Sequence, residues 1–202
     1  MSILVLLQFG LTVAIVLFLR PHLALVLQSI HPGIVRQRFS FRPLPGSEAF
    51  QELADSGYRY LGCRTESIWL LMNNTYYVFY HPSGYYLDLL EGASGKMYML
   101  STTPGGLFFL TRNYGFRSFN HGPYSSHRVE GEFSEVTVAH RKNLERHALG
   151  EVPDLAGSAV ERLALGERWY RSFLRREILP FTLLSVVLLL LSAAMIYRLW
   201  SV

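Results

Sequence analysis

Two long runs without a charged residue bracket the chain. From Ile3 to Leu19 only Gln8 and Thr12 interrupt a series dominated by Leu, Val and Ile. Seventeen such residues in a helix rise about 26 Å, at the short end of what crosses a bilayer. Arg20-Pro21-His22 ends that run, and Leu23 to Ile30 resumes a weaker apolar pattern suited to the interface after a proline kink. The second run, Leu179 to Tyr197, holds nineteen uncharged residues, with Pro180 near the helix start where its missing N–H costs little. Tyr197 and Trp200 flank it on one side, and Trp169, Tyr170 and Phe173 approach the other, as aromatic side chains do at headgroup level. The pattern predicts two transmembrane helices, 3–19 and 179–197. No small-residue cleavage site follows the first, and no basic segment precedes it, so it does not read as a signal peptide.

Between the spans the texture changes. Residues 20–46 carry His31-Pro32-Gly33 and Arg42-Pro43-Leu44-Pro45-Gly46 and read as an irregular juxtamembrane linker. Ser47 is placed to cap a short amphipathic helix that Gly57 stops. Ten of the twelve tyrosines then fall between Tyr58 and Tyr124, among β-branched residues and turn signals. Strands are expected at 58–64, 68–72, 76–80, 85–90, 97–102 and 107–112, joined by hairpins such as Thr103-Pro104-Gly105-Gly106. The fold class is thus α+β, with an antiparallel sheet domain over 47–150 and helices expected on one face of the sheet only. Residues 113–127 read as a long irregular loop. Ser134 is expected to cap a helix running to Leu149 and ended by Gly150, with Val136, Ala139 or His140, Leu144 and His147 or Ala148 inward. A further amphipathic helix over 158–178 presents Val160, Leu163, Tyr170 and Leu174 on one side and arginines on another.

Charge sets the orientation. Arg20, Arg36, Arg38 and Arg42 follow the first span and Arg168, Arg171, Arg175 and Arg176 precede the second, whereas Arg198 alone lies beyond it. Basic flanks stay cytoplasmic, so residues 20–178 belong on that side and both termini outside. The four arginines of 168–176 are the expected contacts to anionic headgroups. Asn73-Asn74-Thr75 has the form of a glycosylation acceptor, but it acts as one only in a secretory lumen. Seventeen Arg against two Lys points to a high-GC genome and hence to a bacterial inner membrane. A hydrophobic share of 50% and a positive mean hydropathy set the chain apart from an ordinary soluble domain.

The reactive residue types form no familiar set. Cys63 is the sole cysteine, which excludes an internal disulfide and any multi-cysteine metal site. Gly92-Ala93-Ser94-Gly95-Lys96 has the wrong spacing for a phosphate loop and reads as a hairpin turn. His140 and His147 stand seven residues apart, about 10.5 Å along a helix, too far to share one ion. Arg112 to Phe119 resembles the RNP1 octamer of the RNA-recognition fold, in which strand aromatics stack on bases. It departs from that motif at Asn113 and Arg117, and residues 58–128 hold six basic against three acidic side chains, too few for a phosphate track.

No catalytic residue, cofactor, metal or nucleic-acid partner is therefore expected. The expected function is a membrane-anchored accessory or scaffold subunit of a larger membrane assembly. The alternative is a ligand or peptide sensor using the aromatic-faced sheet and the 113–127 loop. Tyr114, Phe116, Arg117, Phe119, His121 and His127 are its candidate contacts. Gly10 and Ala14 on the first span, and Ser185 and Ser192 on the second, are spaced to pack helices together or against a partner.

Overall fold

The N-terminal apolar run forms one helix, α1, from Ile3 to Ile30, in the computed structural model, which describes residues 3–46, 48–92, 95–115, 117–148 and 150–201. The helix does not stop at Leu19. Pro21 removes one backbone donor, but the leucine-rich stretch beyond it keeps the helix going. A 3-10 turn at Pro32–Ile34 then leads into a strand, β1, at Arg36–Ser40, where an irregular linker was expected.

Helix α2 spans Glu48–Asp55; its expected cap, Ser47, lies outside the described residues. Its end is closed by Gly57 at φ +85°, which frees the Tyr58 N–H to reach back to the Leu53 carbonyl at 3.0 Å. Strands β2 (Arg59–Ile68), β3 (Met72–His81), β4 (Tyr85–Leu90), β5 (Met97–Thr102) and β6 (Phe108–Arg112) follow in order. The strand expected at 68–72 is instead the turn of the β2–β3 hairpin. The expected loop 113–127 contains two more strands, β7 (Phe119–His121) and β8 (Tyr124–Arg128).

These strands make one eight-stranded open sheet in the order β1-β2-β3-β4-β5-β6-β8-β7. The β3–β4, β4–β5, β5–β6 and β7–β8 pairs are antiparallel, but β6 and β8 run parallel, with Leu110 opposite Ser126. The sheet is mixed, not purely antiparallel as expected. A parallel neighbour needs a crossover, and the supposed loop supplies it, with β7 folding back on the outer edge.

Helix α3 spans Phe133–His147. Its N-terminus is held by Glu135, whose carboxylate accepts the Glu132 N–H at 3.0 Å, so the entry lies earlier than Ser134. The expected end at Leu149 is outside the described residues. After a bend, α4 (Ala159–Trp169), a π-helical turn (Tyr170–Leu174) and α5 (Arg175–Trp200) succeed one another without a break.

Helices cover both faces of the sheet. On one, Tyr77, Phe79, Leu87, Met97 and Met99 pack with Leu53 of α2 and Val136 of α3 around Tyr58. On the other, α4 is bonded to β2 and β4 through buried charges described below. The residues of α4 that turn inward are Arg162, Leu165 and Gly166, while Val160 is 78% exposed. Within α4 the inner face is thus rotated away from Val160, because a buried ion pair defines it, whereas Tyr170 and Leu174 of the expected face are buried in the turn that follows.

The chain divides into two compact units. One comprises the residues up to Arg36, Ser67–Asn73 and those from Tyr170 onward; the other comprises Gln37–Glu66 and Asn74–Trp169.

Candidate functional site

In the helical unit, α1 and α5 pack along a seam of seven-residue period. Val5, Gln8, Thr12, Ile15, Leu19 and His22 turn inward on α1, spaced alternately three and four apart. On α5 the matching positions are Ile178, Thr182, Ser185, Leu189, Ser192 and Ile196. The seam is unusually polar. Gln8 Nε2 donates to the Leu199 carbonyl at 2.9 Å, Trp200 Nε1 donates to Thr12 Oγ1 at 3.0 Å, and His22 Nδ1 lies 3.0 Å from Ser185 Oγ. Fourteen residues separate Gln8 from His22, and fourteen separate Leu199 from Ser185, so one antiparallel register holds over about four turns.

The outward surface is the reverse, with Leu6, Leu7, Phe9, Val16 and Leu17 of α1 and Leu183, Leu184, Val187, Leu190 and Leu191 of α5 all exposed. Interhelical hydrogen bonds inside and bare aliphatic groups outside suit a hydrocarbon solvent, where polar groups must find partners within the protein. Both helices are long and apolar enough to cross a membrane. Of the four small residues singled out for packing, Ser185 is buried and Ser192 half-buried in the seam. Gly10 and Ala14 point away from it, and a Cβ placed on Gly10 would meet nothing within 4 Å.

The sheet unit has at its centre a closed charge cluster. Asp88, on β4, is fully buried and accepts Arg64 Nε at 3.0 Å, Arg162 Nε and Nη2 at 2.9 Å each, and the Tyr98 hydroxyl at 3.0 Å. Arg64 also bonds to Glu66, to Tyr98 and, at 2.8 Å, to Gln37 Oε1. Its guanidinium lies 4.7 Å from the Tyr76 ring centroid, which adds a cation–π contact. Burial by itself would raise the Asp88 carboxyl, but Arg162 and Arg64 outweigh it and hold that group below its ordinary value. Two cations and two anions thus balance within the fold. The cluster fixes α4 against the sheet, and with Arg64, Asp88 and Arg162 all sealed from solvent it offers no surface to a substrate.

The start of α4 is tied down as well. The Tyr80 hydroxyl donates to the Leu155 carbonyl at 2.7 Å, the Tyr86 hydroxyl bonds to Ser158 O at 3.0 Å and to Glu161, and Arg59 donates to Gly157 O at 2.8 Å. Gly157 has φ +70° and sits against the Tyr80 ring, where a Cβ would overlap it. On the opposite face His140 is buried between Ser101 Oγ and Thr111 Oγ1, at 3.0 Å from each ring nitrogen. Burial pushes its pKa down to about 3, so it is a neutral packing group near pH 7.

The other sequence candidates do not converge. Tyr114 is half-buried with its ring 6.5 Å from that of Tyr98, and Arg117 is exposed. Phe119 and His121 share the edge strand β7, with Phe119 6.2 Å from the Tyr124 ring, while His127 is exposed on β8. Phe116 lies outside the described residues. Arg168 donates to the Gly106 carbonyl at 2.6 Å and lies over Phe108, so its guanidinium is engaged by the β5–β6 turn. Arg171, Arg175 and Arg176 are exposed. Cys63 is buried, with its sulfur 3.4 Å from the Tyr60 hydroxyl. Among the described residues no three His, Cys, Asp or Glu side chains gather as a metal set.

One feature that the sequence reading missed is an apolar cleft of about 410 Å³ between α2 and the sheet, lined by Phe50, Leu53, Tyr77, Leu89, Met97 and Phe133. Glu91 and Lys96 stand at it, and Glu91 accepts Arg42 at 2.8 Å and the Tyr77 hydroxyl at 2.9 Å. Its walls come from four separate stretches of chain, around 50–53, 77, 89–97 and 133, so no local motif announces it. Compared with protein-family models, with curated proteins and with solved structures, the chain matches none.

Proposed function

We propose that this protein is a membrane-anchored, non-enzymatic accessory or scaffold subunit of a larger membrane assembly. Its two long helices cross the bilayer of a bacterial inner membrane, both termini face outward, and the sheet unit is its cytoplasmic interaction domain. The observation that carries this reading is the inside-out chemistry of the helix pair. A contiguous aliphatic surface of this size is a liability in water, whereas the hydrogen-bonded seam between the helices is what a lipid environment demands. The sheet unit supports the non-enzymatic part, because Asp88, Arg64, Arg162 and His140 are engaged in its own packing. Exposed Arg171, Arg175 and Arg176 precede the second apolar run, where each contributes about 1 kcal/mol toward an anionic leaflet. Cross-linking in native membranes followed by purification in mild detergent should return a discrete larger complex; recovery of the chain alone at native abundance overturns the reading.

A sensor function is the second reading, and the cleft beside α2 favours it. Largely apolar walls with a few charged groups are the usual make-up of a ligand pocket. A stoichiometric small molecule or peptide retained by the purified protein, and lost from a Leu89→Arg variant, would favour sensing over docking.

A further inference from the structure

The turn between β2 and β3 carries two large apolar side chains where a hairpin ordinarily places polar ones. Trp69 is 85% exposed and Leu70 67% exposed. The turn is closed by the Leu71 N–H donating to the Ile68 carbonyl at 3.0 Å, and Leu70 holds φ +56°. That third position of the turn favours Gly or Asn, and a leucine there is strained. An exposed Trp-Leu pair suits the bilayer interface, where an indole ring can bury its apolar body and keep its N–H hydrated.

The same unit shows where the turn lies along the helices. Gln28 Nε2 contacts Met72 Sδ at 3.6 Å, and Arg20 donates to the Leu70 carbonyl. Through the His22–Ser185 contact, six residues further along each helix bring Gln28 level with Leu179, the first residue of α5's uncharged run. From Met72 the hairpin continues toward Arg20, away from that boundary and along the apolar stretch. Two residues of chain reach at most about 7 Å, within the 5–10 Å depth at which amphipathic elements settle between headgroups and acyl chains. Arg20 satisfies the carbonyl that the turn would otherwise leave bare there, and its charged end can run back toward the headgroups.

We propose that the Trp69-Leu70 turn is a third membrane-contacting element, inserted into the headgroup–acyl boundary of the bilayer leaflet at the Gln28–Leu179 end of the helix pair. This rests on the reading that α1 and α5 cross the bilayer, and the test separates the two. The full chain is reconstituted in phosphatidylcholine vesicles in two single-tryptophan forms. Trp169→Phe with Trp200→Phe leaves Trp69, and Trp69→Phe with Trp169→Phe leaves Trp200. Lipids brominated near the headgroup or near the acyl terminus then quench by depth. Insertion predicts that Trp69 is quenched by shallow bromines more than by deep ones and is protected from aqueous iodide. It also predicts that Leu70→Asp reverses both effects. If Trp69 stays open to iodide and insensitive to bromolipid while Trp200 is quenched, the turn faces water or a protein partner; the proposal fails and the spans stand. If neither tryptophan is quenched, the span reading fails and the proposal with it.

Discussion

Replacing Asp88 by asparagine keeps the shape of the side chain and removes the charge that neutralises two buried guanidinium groups. In the native fold this carboxylate accepts four hydrogen bonds, three of them from Arg64 and Arg162, all in a site closed to solvent. The amide of asparagine turns an N–H toward donors, and the remaining anion, Glu66, must then face both cations. Breaking a buried pair by removing one partner costs about 3–5 kcal/mol. Counting the lost charge-assisted bonds to two arginines at about 1.5–3 kcal/mol each gives a similar figure. For a domain of this size such a loss lowers Tm by about 10–20 °C. Near-ultraviolet circular dichroism of the full chain in mild detergent reads it, because the tyrosines surround the cluster. Asp88→Asn combined with Arg162→Met should lose less than the sum of the two single variants, since the second change removes the cation that the first left unpaired. A single-variant Tm within about 3 °C of wild type, or strictly additive losses, would refute the claim that this cluster holds α4 to the sheet.

Protonation of His140 favours the unfolded chain, because its pKa is about 3 when folded and about 6.5 when not. Its stabilising contribution is complete above pH 6.5 and is lost as pH falls toward 3. The stability difference between wild type and His140→Gln should therefore decline by about 1.4 kcal/mol per pH unit below pH 6, as read by denaturant titration. Gly157→Ala should lose about 2–4 kcal/mol, from a positive φ and overlap with the Tyr80 ring, measured by the same unfolding transition. In a Cys63→Ser background, disulfide formation between Gln8→Cys and Leu199→Cys, which stand level across the seam, reports the helix pairing. Ser185→Leu should slow that reaction, because the site is 2% exposed, whereas Gly10→Leu should leave it unchanged.

The patterns that were readable are those in which local chemistry and tertiary contact agree. Strands β4 and β5 have the predicted bounds because their apolar and aromatic residues lie between strong turn signals. Strands β1, β7 and β8 are short or polar; β1 and β8 exist through pairing with β2 and β6, which periodicity does not encode, and three-residue β7 exists only through its hairpin with β8. The first turn of α4 departs from its apolar pattern, with Val160 exposed and Arg162 buried, for a related reason. Arg162 looks like a solvated residue until Asp88, seventy-four positions earlier, is brought against it. Residues 68–72 resembled a strand because they are apolar, and a turn without Gly, Pro or Asn at its strained position leaves no local mark. The α2 cleft and the polar seam share that property: each is assembled from segments whose separate sequences point elsewhere.

Position of the sheet unit relative to the bilayer is best read by cysteine accessibility in spheroplasts, again in the Cys63→Ser background. Ser201→Cys and Arg117→Cys are both exposed sites, one past the end of α5 and one between β6 and β7. A membrane-impermeant maleimide should label Ser201→Cys at once and Arg117→Cys only after permeabilisation. Labelling of Arg117→Cys in intact spheroplasts, or release of the chain into the soluble fraction on lysis, would contradict a pair of spanning helices that tether a cytoplasmic domain.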